Sequence, residues 1–338
     1  MRGCFLLCAV SILTLQLHAQ QPPSTPPSLQ TAEQLQSQGR LEDALQQLNT
    51  LSRQLPEPAG VERLRGLIFY QQNNLSEADA AFAKALQQDP KDLEAMQLRG
   101  VTLFRMGKAA DAIPLLEAAR ASVPSANIDP NYVLGVSYMQ VGRLDDARHA
   151  FAMQYGFAPD SAPAYLLAAR MFFHQENVTA AHASAVKATQ LNDTLPLAHQ
   201  LLGEIALATG DNTTAIGEFE KEVRLNPLNG EVYERLGDAY LRSARYDDAQ
   251  HALDRAVLLE PNATAPYILL GKLLLGRQNP VMAEMYLLRA RQMDPGNFRT
   301  HYLLGQVYRA EGRRDDAARE FENAQQLQSS SPKTEAAH

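Results

Sequence analysis

The stretch AGVERLRGLIFYQQNNLSEADAAFAKALQQDPKD, Ala59 to Asp92, decides the fold. Leu64, Leu67, Ile68 and Tyr70 recur at helical spacing, Gln72-Asn73-Asn74 breaks the run, and Ala78, Phe82, Ala85 and Leu86 begin a second helical stripe. The segment predicts two short antiparallel helices joined by a tight turn. Small residues at Gly66 and Ala78 let the two helix axes approach, with Phe69 and Phe82 filling the volume beside the crossing. Asp89-Pro90 ends the second helix, because proline has no amide donor and restricts the residue before it.

The same pattern runs the length of the chain. Ala44, Ala78, Ala112, Ala147, Ala181, Ala215, Ala249, Ala283 and Ala317 follow one another at 34 residues, with one step of 35. Twelve residues upstream stand Ala32, Gly66, Gly100, Gly135, Ala169, Gly203, Gly237, Gly271 and Gly305; twelve downstream stand Pro56, Pro90, Pro124, Pro159, Asp193, Pro227, Pro261, Pro295 and Ser329. Three such columns together are a repeat. Gly39, Gly142 and Gly312 supply turns, and the acids that follow (Glu42-Asp43, Asp145-Asp146, Asp315-Asp316) favour the positive end of the next helix. Pro280 suits a helix start, whereas Pro114 falls inside a helix and predicts a kink or a late start there.

The period, the Leu-Gly pairs (Leu134-Gly135, Leu202-Gly203, Leu236-Gly237, Leu270-Gly271, Leu304-Gly305), the Tyr three residues later in three of them (Tyr138, Tyr240, Tyr308) and the Ala, Phe/Leu and Pro columns resemble the tetratricopeptide repeat family. The resemblance covers roughly residues 25 to 329. It implies an all-α fold: one α-solenoid, a right-handed superhelix of about nine 34-residue helix-turn-helix repeats. These lie near 25–58, 59–92, 93–127, 128–161, 162–195, 196–229, 230–263, 264–297 and 298–329, with the array over 29–328 and a disordered tail over 329–338. The chain departs from the family in having no tryptophan and in placing Arg65 and Arg99 where Leu precedes the glycine. The first unit, with Thr31-Ala32-Glu33-Gln34, reads as a polar N-terminal cap.

At the N-terminus, Met1-Arg2-Gly3 is followed by a nearly unbroken apolar run from Cys4 to Leu17 and by Leu17-His18-Ala19. The pattern reads as a secretory signal peptide over 1–19, too short for a membrane span of roughly 20 apolar residues. A retained anchor is the alternative; a lipoprotein site at Cys8 is disfavoured by the bulky Leu7 before it. Residues 20–28, with Pro22-Pro23 and Pro26-Pro27, form a stiff linker. Both cysteines fall in the leader, so exported chains carry no disulfide and no thiol chemistry. The expected location is the bacterial periplasm or the extracellular space.

The net charge of −7 gives no footprint for nucleic acid or for anionic membrane surfaces. No HExxH, GxSxG, P-loop or GxGxxG occurs, and no catalytic residue, metal ligand or cofactor is expected. His149 and His251 read as solvated surface, and the paired acids read as helix-terminal groups. Asn-x-Ser/Thr triplets at Asn74, Asn177, Asn192, Asn212 and Asn262 read first as turn and capping chemistry, with glycan attachment in a eukaryotic secreted protein as the alternative.

What remains is recognition of other proteins. In the family that the chain resembles, the first helix of each repeat lines a concave surface, and residues at i, i+4, i+7 and i+8 share one helical face. That stripe holds Arg63, Leu67 and Tyr70, then Val101, Phe104 and Arg105, then Tyr132, Val136 and Met139, then Arg170, Phe173 and His174. Farther on it holds Glu204, Glu234, Asp238, Lys272, Tyr302 and Arg309. An apolar anchor zone is thus expected over residues 63 to 174, with Tyr70, Phe104, Tyr132 and Phe173 as its aromatic members, and a charged selectivity zone beyond. Roughly half of the apolar members are assigned to plain packing between repeats. The Lys and Asn clamp that some family branches use for acidic tails is not matched, because the stripe has no Asn. The reading is a non-catalytic scaffold holding peptide or helix segments of partner proteins. An assembly adaptor for a secretion or polysaccharide-export machine is the alternative, and a hydrolase on a repeat scaffold the remote one.

Overall fold

The computed structural model describes residues 27–120 and 130–330. The expected leader, most of the Pro-rich linker and the tail beyond Ser330 lie outside the described residues. Among those described there are 18 helices and no strand, an all-α helical repeat solenoid. Where the sequence predicts one uninterrupted array, the chain divides into two compact units between Val123 and Pro124, within the single 35-residue step of the alanine column.

In the first unit, α1 (Leu29–Ser37) pairs with α2 (Leu41–Leu51), α3 (Val61–Gln71) with α4 (Leu75–Gln88), and α5 (Leu93–Arg105) with α6 (Ala109–Ala119). In the second, α7 (Pro130–Gln140) pairs with α8 (Leu144–Gln154), α9 (Ala162–His174) with α10 (Val178–Leu191), and α11 (Ala198–Ala208) with α12 (Asn212–Leu225). The same order continues with α13 (Gly230–Arg242) and α14 (Tyr246–Leu259), α15 (Thr264–Gly276) and α16 (Pro280–Met293), and α17 (Phe298–Ala310) and α18 (Arg314–Ser330). Helix α18 continues through Ser330, past the point where the tail was expected to begin.

The columns have a direct physical meaning. Eight of the nine column alanines are 0% exposed and Ala317 is 5% exposed, because each lies where its two helices cross. A Cβ on Gly66 would stand 2.6 Å from the Phe82 ring, so there the glycine makes room for the large side chain sixteen positions on, although Ala32 coexists with Leu48 in the first repeat. Ala169 replaces glycine where the residue sixteen positions on is Ala185, a small group that leaves room for the methyl.

A fourth column is legible only in part, where Gly39, Gly142 and Gly312 read as turns. Five residues before each column alanine the backbone turns left-handed: at Gly39, Gly107, Gly142, Gly210 and Gly312, but also at Asn73, Glu176, Ala244 and Gln278. The following amide then donates to the carbonyl five residues back, as Asn74 does to Phe69 and Arg245 to Tyr240, which closes the end of each first helix. Pro114 causes no late start: α6 begins three residues before Ala112, as α4 does before Ala78. It does end early, after 11 residues against 14 in α4.

Polar groups tie the helices at buried points. Leu197, left-handed at φ 68°, offers no side-chain cap to α11, and the fully buried Glu222 of α12 caps it instead, accepting from the Leu197 amide at 3.0 Å and the Gln200 amide at 3.3 Å. His199 and His301 stand four residues before Gly203 and Gly305 and are 2% and 7% exposed. The Nε2–H of each donates to a loop carbonyl, Asp193 at 2.9 Å and Pro295 at 3.0 Å, while Nδ1 meets Glu218 at 2.6 Å and Glu320 at 2.5 Å. The paired acids are not hydrogen-bonded caps. Asp43, Asp146, Asp248 and Asp316 accept instead from Arg40, Arg143, Arg245 and Arg313, the arginine three residues earlier in each case.

Candidate functional site

The first helices carry the predicted stripe, and each unit presents its own part of it. In the first unit, Arg63 is tied to Asp92 at 2.8 Å and to Glu94 at 3.3 Å, so its charge is answered within the stack. The Arg105 guanidinium lies over the Tyr70 ring at 4.7 Å and donates to Asn73 at 2.7 Å, covering one aromatic face. Leu67 and Phe104 are half-buried.

Val101 is 4% exposed and, in the second unit, Val136 is 6% exposed, so both belong to the core and are withdrawn from the groove. The reason is reach. Val is short and branched at Cβ, whereas the longer Leu67, Arg170, Glu204 and Asp238 at the same register stay half-buried and Lys272 is exposed.

In the second unit Tyr132 is 42% exposed but leans on Phe151 of its own repeat, ring centroids 6.2 Å apart. Met139 and Phe173 are half-buried, and His174 is exposed. The expected anchor zone straddles the division at Val123, with Tyr70 and Phe104 in one unit and Tyr132 and Phe173 in the other.

A smaller concavity in the first unit takes in Arg63, and two adjoining ones lie on the first-helix face of α13, α15 and α17. One, of about 690 Å3, is lined by Glu234, Asp238, Arg242, Ile268, Lys272 and Tyr302 among others. A second, of about 620 Å3, shares Lys272 and adds Leu275, Gln306 and Arg309. Tyr302 is 51% exposed and rests against Phe321, with Arg309 over the same ring at 5.7 Å. Glu204 accepts from Gln200 at 2.9 Å, and Asp238 is paired with Arg242 at 2.8 Å. Burial holds the Glu234 carboxyl above its ordinary value, opposed by Arg235 and reinforced by Glu231, Glu260 and Asp238.

Six predicted residues therefore lie on this face (Glu234, Asp238, Lys272, Tyr302 and Arg309 at the concavities, Glu204 on the preceding first helix). Sequence reading missed Arg299 and Leu303, which line the larger concavity. Extending the α17 stripe one turn toward its start would have reached Arg299. Among the described residues no cluster of three or more His, Asp or Glu is placed to hold a metal ion, and no helix is long and apolar enough to cross a membrane.

Two family models, both described as tetratricopeptide repeat, match this sequence, one over residues 29–92 and 268–332 and the other over 103–171 and 206–273. Among curated relatives, a TPR repeat-containing protein of Treponema pallidum (strain Nichols) is 25% identical over 93% of this chain and 43% of its own length. The Protein CTR9 homolog of Arabidopsis thaliana is 23% identical over 81% of this chain and 26% of its own. The chain thus spans less than half the length of these relatives. Among solved structures, YrrB, described as a TPR protein with an unusual peptide-binding site, aligns at TM-score 0.46 and 23% identity over 54% of this chain and 95% of its own.

Proposed function

Because the chain belongs to the tetratricopeptide repeat family, we propose that it is a non-catalytic scaffold that holds extended segments of partner proteins on the first-helix face of its repeats. The observation that carries this reading is the pair of adjoining concavities over α13, α15 and α17, lined by an exposed aromatic at Tyr302, half-buried apolar Ile268 and Leu303, and charged groups beside them. A groove built from successive repeats suits a linear ligand, since each repeat adds one more place of contact. The basic start and apolar run of residues 1–19 support an exported, extracytoplasmic setting.

Photo-crosslinking in the native cell tests the binding role. Probes at Ile268 and Tyr302 are expected to give discrete protein adducts, while a probe at Leu258, 69% exposed on α14, gives none. Equal labelling from both faces would overturn the assignment. For export, N-terminal sequencing of the native protein is expected to begin at Gln20; an intact Met1 would refute cleavage.

A further inference from the structure

On the first-helix face of the second unit, α13 mixes three carboxylates with Arg235 and Arg242, while α15 and α17 carry cations and no carboxylate. Glu204 on α11 and Glu231, Glu234 and Asp238 on α13 supply carboxylates, while Lys272 on α15 and Arg299 and Arg309 on α17 supply cations. Most of the acids are answered within the chain: Glu231 faces Arg235, Asp238 faces Arg242, and Glu204 accepts from Gln200. Two groups are not. Glu234 and Lys272 line the same concavity of about 690 Å3, and neither makes a hydrogen bond or ion pair with another described residue.

Such an arrangement has a physical cost. Burial first holds the Glu234 carboxyl above its ordinary value; Arg235 opposes this, while Glu231, Glu260 and Asp238 add to it, so on balance the charged form is disfavoured. An incoming cation would relieve that burden, and the attraction is stronger in a partly desolvated groove than in open water.

The geometry points to one occupant, resting on the peptide-binding reading above: an extended protein segment with a Lys or Arg at Glu234, an apolar residue over Ile268 and Leu303, and an Asp or Glu at Lys272 and Arg299. Packed helices lie about 10 Å apart and an extended chain advances about 3.3 Å per residue, so one helix step takes up about three residues. From α13 to α15 or on to α17, the two charges of the segment stand about three to six residues apart. Opposite charges along one segment also reject uniformly acidic or basic competitors, which would place like charges at one end.

The test uses the full chain and short synthetic peptides of Ala and Leu carrying one Lys and one Glu about four residues apart, beside Lys/Lys, Glu/Glu and uncharged versions. Fluorescence anisotropy is expected to show the Lys/Glu peptide bound roughly tenfold tighter than the others, with the difference shrinking as salt rises. Glu234→Lys moves the preference to the Glu/Glu peptide, and Lys272→Glu moves it toward the Lys/Lys peptide. Melting followed by circular dichroism checks that each variant is folded. Lys272 is exposed, so its variant alone decides the matter if Glu234→Lys fails to fold. Equal binding of all four peptides overturns the charge order and leaves the peptide-binding reading standing. Failure to bind any of them overturns it too; the broader reading falls only if crosslinks from Ile268 and Tyr302 are also absent.

Discussion

Ala244 sits at φ 56° in the turn between α13 and α14, a left-handed conformation that disfavours any L side chain by about 1–2 kcal/mol. Glycine holds the same turn position at Gly210 and Gly312. Ala244→Gly is therefore expected to stabilise the second unit by about 1 kcal/mol, less the extra freedom glycine has when unfolded, and Gly312→Ala to destabilise it by about as much. Urea denaturation reads both, and a destabilised Ala244→Gly would contradict the strain. Glu234 carries the other residue-scale prediction. Its folded-state value lies above the ordinary 4.5, so the folded form binds the proton more tightly than the unfolded form does, and stability falls as pH rises through that interval. Glu234→Gln is expected to raise the melting temperature at pH 7, and the gain should fade as pH drops below about 4.5, where both states hold the proton. A gain that is constant with pH would point to packing instead.

Within a repeat the two helices are specified by complementary volumes. A Cβ on Gly237 would meet the Leu253 side chain at 2.6 Å, so Gly237→Ala is expected to cost about 1–3 kcal/mol by overpacking. Leu253→Ala alone should cost about 2–5 kcal/mol by leaving a cavity. The double variant should lose less than the sum, because the methyl of one enters the space vacated by the other, as Ala169 and Ala185 already share a repeat. A double-mutant cycle in urea measures the coupling, and strict additivity would refute the crossing-point account. The two helices of a repeat are also tied by buried polar groups. Glu222→Leu leaves the amides of Leu197 and Gln200 without their acceptor, an expected loss of about 1–3 kcal/mol. Faster hydrogen exchange at the start of α11 would accompany it. His199 and His301 share one register of the repeat, but only these two units carry the pair, and their partners, Glu218 and Glu320, lie on the other helix, where nothing in the sequence marks the contact.

At the scale of the whole molecule, the division at Val123 predicts that residues 124–338 fold without the rest. Expressed alone, they are expected to give the helical spectrum and single cooperative transition of a stack of interlocked repeats; a non-cooperative melt would contradict two compact units. The sequence by itself determined the repeat, the number of helix pairs and the face on which Glu234, Lys272 and Tyr302 stand, because a 34-residue period records packing between helices close in the chain. Tertiary structure decided which members of that face are free. Val101 and Val136 share the register of Lys272 yet are buried, Arg63 is claimed by Asp92, and Glu234 is half-buried with its carboxyl held above the ordinary value. Reach, pairing and desolvation depend on what neighbouring repeats bring alongside each side chain, and a column of letters holds no distance between repeats.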